Sequence, residues 1–262
     1  MMSSGLSARP APGTARAGHL SGSVQRRDRT GALVLVIVLA AAGVESARLG
    51  AAHVFADSGS LDVERLISAP RLPAIQDLSR AAGYFADSLR YAPGNPRALE
   101  GLGATDFVKM RAAATPQQAV AAMRDAQMHF RQALQQRPTS PFLWANLALA
   151  KLNLDEIDAE LFAALRYANE LGPWEPAVQQ TALFVALAAW HGLDAGLRQA
   201  VATMIKRGAL RNAQAMFEIV QSFGRYDLVC GVEKYASIAG AKCGHASEFA
   251  APAGSIKKGR RQ

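Results

Sequence analysis

Four positions recur three times along this 262-residue chain at one spacing. Ala126, Phe130, Ala133 and Pro138 fall at relative positions 0, 4, 7 and 12. Ala81, Phe85, Ser88 and Pro93 occupy the same four positions, as do Leu161, Leu165, Ala168 and Pro173. A small residue, a large one a turn later and another small one put a single stripe on one helical face. The small positions let a neighbouring helix approach closely, and the large one fills the space between the two. Proline then ends the helix and opens the turn into the next. The spacing therefore predicts a chain of helices that bury their stripes against each other, and the abundance of Ala and Leu favours helix over sheet.

The segments after the prolines match as well. NPRALEGLGATDF follows Pro93, with Leu99, Leu102 and Gly103, and TSPFLWANLALAKL follows Pro138, with Trp144, Leu147 and Ala148 in equivalent places. The second and third prolines are 35 residues apart and the first and second 45, which puts an insertion near 111–119. Residues 177–190, 193–209 and 212–224 read as further helices that close the series. No pair of this kind buries its apolar face alone, so stacking neighbours must complete the core. Residues 70–235 are expected to form this helical body.

The front of the chain has another character. GALVLVIVLAAAGV (31–44) is an unbroken apolar run behind an arginine cluster and ahead of Glu45 and Arg48. With its flanks it reaches the ~20 residues that span a bilayer, Arg48 snorkelling toward the headgroups. A cleaved signal peptide is the rival reading, and the thirty-residue leader favours an anchor over 31–50. Arginines upstream place the leader in the cytoplasm and the body across the membrane. The expected plan is a disordered basic leader (1–30), an anchor (31–50), a linker (51–69), the helical body, and a flexible basic tail (236–262).

The formal net charge of +8 is confined to the two ends. Arg9, Arg16, Arg26, Arg27 and Arg29 against Asp28 give the leader +4, and Lys257, Lys258, Arg260 and Arg261 give the tail another +4. The remainder holds 20 basic and 20 acidic residues. A neutral body with basic ends suits a membrane surface and argues against nucleic acid as a partner.

The body resembles the tetratricopeptide repeat, whose first helix carries a large residue, Leu and Gly, and whose second carries Ala, Phe and Ala before Pro. Ser88 for Ala, and Leu161 with Leu165 for Ala and Phe, depart from that pattern. The implied fold is all-α: a membrane anchor helix followed by a tetratricopeptide-like α-solenoid of antiparallel helix pairs. Residues 129–160, 165–179 and 223–230, with the strings WANLALAKL, LGPWEP and RYDLVC, are similar to the VpsP-type polysaccharide-biosynthesis proteins of bacterial envelopes. That resemblance implies a non-enzymatic accessory role in making or exporting an exopolysaccharide, with partners from the assembly or export complex. An envelope chaperone or assembly factor using the same surface is the alternative. The implied location is the inner membrane, single-pass, with the body in the periplasm.

No acid–base pair, nucleophile triad or phosphate loop stands out, so no catalytic residue, cofactor or metal ligand is nominated. The run Asp155, Glu156, Asp158 and Glu160 lacks the mid-loop Gly of a calcium loop and reads as a solvated turn. GLGATD (101–106) reads as repeat packing, since it lacks the third Gly of a dinucleotide loop. First helices of repeat pairs line the concave surface, where Arg97, Glu100, Asn146 and Lys151 are the polar candidates for protein binding. Trp174 joins them from the corner between two helices. Cys230 and Cys243 would pair in an oxidising compartment and remain thiols in the cytosol.

Overall fold

The computed structural model describes residues 21–71 and 73–243. Among them are ten α-helices and three short 3-10 turns, with no strand. The chain divides into two compact units, residues 1–48 and 49–262. In the first, α1 (Ser21–Ser68) begins, and the large apolar side chains from Leu33 to Val44 are all exposed. The helix over Thr30–Ser68 is long and apolar enough to cross a membrane.

The second unit holds the last twenty residues of α1 and nine further helices: α2 (Ile75–Tyr91), α3 (Pro96–Arg111), α4 (Pro116–Gln136), α5 (Pro141–Asn153), α6 (Ala159–Leu171), α7 (Pro176–Ala188), α8 (Ala195–Arg211), α9 (Ala213–Ser222) and α10 (Glu233–Ala239). Prolines punctuate them. Helices α2, α4 and α6 each end two residues before Pro93, Pro138 and Pro173, because the residue ahead of a proline is pushed out of helical geometry. Helices α3, α4, α5 and α7 start on a proline, where the missing N–H costs nothing. Asn95, Thr115, Ser140, Asp158 and Asp194 cap helix starts by accepting a backbone N–H.

From α2 to α10 each helix packs on the next, and α5 also meets α7, α6 meets α8, and α7 meets α9. The recurring stripe lies in these contacts. All nine of its residues ahead of the prolines are between 0 and 3 % exposed. Ser88 departs from the pattern without penalty: its hydroxyl donates to the Ala52 carbonyl (2.7 Å) and accepts from the Asn95 amide (2.9 Å). The two glycines of GLGATD give α3 its close approaches. A Cβ on Gly101 would lie 2.2 Å from the Phe85 ring, and one on Gly103 2.5 Å from the Phe130 ring. The extra residues near 111–119 lengthen helices rather than a loop: α3 and α4 run 16 and 21 residues, against 13 each for α5, α6 and α7.

Three expected boundaries are corrected. The linker 51–69 is helix to Ser68, and Ala52, Ala56, Gly59 and Val63 form a buried stripe at helical spacing. That stripe is nearly all Ala and Gly, too weakly apolar to stand out beside the run at 31–44. The leader, expected to be disordered, is helical from Ser21 onward, and residues 1–20 lie outside the described ones. The tail begins later than 236, because α10 continues to Ala239 and a 3-10 turn reaches Cys243. Tyr235 anchors this end, fully buried, with its hydroxyl donating to the Ile205 carbonyl (2.8 Å). Cys230 and Cys243 are joined in a disulfide.

Candidate protein-binding groove

The site is built on the second half of α1 and on α3, with α2 between them. Phe85 projects from α2 into the space left by Gly59 and Gly101, where a Cβ would come within 2.7 and 2.2 Å of its ring. Two backbones thus close over one aromatic ring, and between the helices a groove of about 280 Å3 remains. Val63, Gly101 and Ala104 give it an apolar floor, and Glu64, Arg97 and Glu100 supply its charge.

Those three charges are unequally compensated. Arg97 pairs with Asp57 at 3.1 Å. Glu64 is exposed and makes no ion pair among the described residues. Glu100, its side chain 28 % exposed, has among the described residues one ion-pair partner, Arg137, at 3.7 Å, beyond hydrogen-bonding distance. Burial pushes the Glu100 carboxyl above its ordinary range despite the nearby Arg137 and Arg97 guanidinium groups. The groove therefore holds a carboxylate that its own arginines do not fully offset.

Arg97 and Glu100 thus share one groove, one turn apart on α3, and the other nominated residues lie elsewhere. Asn146 is half-buried on α5 and does not line this groove. Lys151 is corrected outright: its side chain is 2 % exposed and unavailable to a partner. Its ammonium is 3.1 Å from Glu156, 2.9 Å from Asp158 and 2.9 Å from Glu160. Arg131 donates twice to Glu160, at 2.9 and 2.7 Å, and Gln127 donates to Glu156 at 2.6 Å. Of the acidic run expected to be a solvated turn, Asp155 is exposed, and Glu156, Asp158 and Glu160 form the outer shell of a buried lysine. It clasps α4, α5 and the start of α6 together.

Trp174 sits at the corner before α7, 44 % exposed. The Arg207 guanidinium lies 5.5 Å from its ring centre, and Arg211 donates to its carbonyl at 3.4 Å. Exposed Leu171 and Leu210 (76 % exposed) belong to the neighbouring helix ends. Trp144 is half-buried, its indole N–H donating to the Pro138 carbonyl (2.7 Å) and its ring 4.7 Å from that of Tyr167. A second groove, of about 370 Å3, lies where the lengthened α3 and α4 pass the start of α2. It is lined by Ile75, Leu78, Lys109 and Asp125 among others and contains none of the nominated residues.

Sequence reasoning missed Glu64 and the α1 wall, because residues 51–69 read as linker. The signal was present: Ala52, Ala56, Gly59 and Val63 keep the 4-3-4 spacing of one helical face, and Glu64 stands beside it.

No family model, curated protein or solved structure matches this chain.

Proposed function

We propose that the chain is a membrane-anchored helical-repeat scaffold of the tetratricopeptide type that supports exopolysaccharide biosynthesis or export by binding partner proteins. The observation that carries this reading is the threefold stripe. All nine of its residues are buried, and α5, α6 and α7 each contact both the next helix and the one beyond it. Repeat proteins stack this way, and they use the surfaces of successive helices for binding. The anchor raises the effective concentration of the body beside other membrane-bound components, so weak grooves suffice for assembly.

The body belongs, on this reading, in the periplasm, with the inner membrane crossed once. The arginine-rich leader supports that orientation. The bonded Cys230 and Cys243 support it independently, since such bonds persist in oxidising compartments. The link to polysaccharide rests on the strings WANLALAKL, LGPWEP and RYDLVC.

The test is a clean deletion with surface polysaccharide as the readout. The expected result is a several-fold fall that the full-length chain reverses. Unchanged polysaccharide would remove the pathway from this reading.

A further inference from the structure

The groove between α1 and α3 is selective as to what can fill it. Its floor is apolar and narrow, because Phe85 occupies the space that two glycines leave open. Its rim carries Glu64, with no ion-pair partner among the described residues, and Glu100, with Arg137 3.7 Å away. Its one lining cation, Arg97, is already engaged by Asp57. Ile67, 52 % exposed, extends the apolar wall outward. An anionic or purely apolar segment would leave Glu64 unpaired and Glu100 only partly compensated, and one of them further desolvated, at considerable cost. A cation there supplies the missing charge at a position already partly shielded from water, where such pairing is strongest.

We propose that this groove docks a cationic segment of a partner protein, a lysine or arginine lying against Glu64 and Glu100 and an adjacent aliphatic side chain resting on Val63 and Ala104. This deepens the scaffold reading by giving its partner a chemistry: a short basic stretch interrupted by an aliphatic residue. The burial that unsettles the Glu100 carboxylate in the free protein is offset when the cation arrives. Binding then draws on an electrostatic imbalance already present in the groove.

The experiment uses the full chain in phosphatidylcholine nanodiscs, which carry no net charge to adsorb a basic peptide. The probe is a fluorescein-labelled hexapeptide, Gly-Ile-Lys-Lys-Ile-Gly, followed by anisotropy, with Gly-Ile-Glu-Glu-Ile-Gly as control. The lysine peptide is expected to bind, and the glutamate peptide at least a hundredfold more weakly. Glu100→Gln and Glu64→Gln should each weaken binding about tenfold, the loss of one favourable charge contact. The weakening should shrink as salt rises. Glu100→Gln removes a charge that burial disfavours, so its fold is retained, as far-UV circular dichroism and an unchanged melting curve will confirm. Ala104→Leu, which fills the floor without touching a charge, should abolish binding.

Equal affinity for the two peptides, no binding, or binding indifferent to both substitutions would overturn the proposal. Binding that appears only after removal of residues 244–262 would overturn the assignment to a partner and give the groove to the chain's own basic tail. Polysaccharide measured in cells carrying Glu64→Gln and Glu100→Gln separates this proposal from the pathway reading. Lysine-peptide binding that those substitutions weaken as expected supports the groove even where polysaccharide is unchanged, and in that case only the pathway fails.

Discussion

Gly101→Ala is expected to destabilise the protein by about 2 kcal/mol in the natural chain and to stabilise it by up to about 1 kcal/mol once Phe85 is alanine. Alanine is the better helix former, so the helix itself gains from the change. The loss comes from space. The new Cβ would lie 2.2 Å from a ring that is 0 % exposed and held between α1 and α3. Neither the ring nor the helix can yield without disturbing Gly59 on the other side, where a Cβ would be 2.7 Å away. Phe85→Ala alone should cost about 3–5 kcal/mol, a large buried side chain exchanged for a cavity. With the ring gone, only the helix preference of alanine remains. Urea denaturation of the four proteins gives the coupling directly, about 3 kcal/mol on these figures. Gly101→Ala with the same effect in both backgrounds would mean that the glycine serves something other than the Phe85 ring.

Lys151→Met is the second large effect, and pH distinguishes its cause. Methionine keeps most of the buried stem and removes only the ammonium. Glu156, Asp158 and Glu160 then lose their shared cation, at roughly 2–3 kcal/mol, less than for a fully buried pair because water still reaches them. These carboxylates are 39 to 52 % exposed. The hydrogen bonds from Arg131, and next those from Lys151, outweigh burial and pull the Glu160 carboxyl from 4.5 down to about 2. Asp158 is lowered too, its Lys151 and backbone hydrogen bonds outweighing burial, and Glu156 is lowered first by Gln127 and then by Lys151. Carboxyls depressed in the folded protein bind their protons more readily when it unfolds. Their stabilisation is thus full above about pH 4.5 and lost as pH falls toward 2. Burial lowers the Lys151 ammonium, but its three carboxylate partners outweigh this and raise it, so its contribution persists until pH climbs beyond the usual lysine range. The gap between natural and Lys151→Met proteins should therefore be wide at pH 7 and narrow at pH 3. A gap of equal size at both would assign the loss to packing.

The helices were legible in the sequence because two of their stripes combine one large residue with two small ones before a proline, and the third, Leu161, Leu165 and Ala168, keeps the same spacing. Phe85, Phe130 and Leu165 announce themselves, and each lies where the spacing places it. The stripe Ala52, Ala56, Gly59 and Val63 did not, since burying so little apolar surface it has no contrast with a linker. Charges were the least legible. Arg97 and Glu100 stand one turn apart on α3, and helical spacing alone brings them together. Lys151 sits at a position in α5 that looks equally polar, yet its surroundings come from residues 127, 131 and 156–160 on other elements. Periodicity reports which face of a helix a residue occupies; it does not report what the next element places against that face.

The stripe carries the scaffold and the membrane segment carries its tethering, so the decisive measurement separates body from anchor. Surface polysaccharide is measured in the deletion strain complemented with the full chain, or with residues 51–262 exported behind a cleavable signal and present at equal level. The expected result is restoration by the full chain and little or none by the released body, whose partners are then diluted through the compartment. Full restoration by the released body would contradict the central claim, since a scaffold that works untethered does not depend on being held at the membrane.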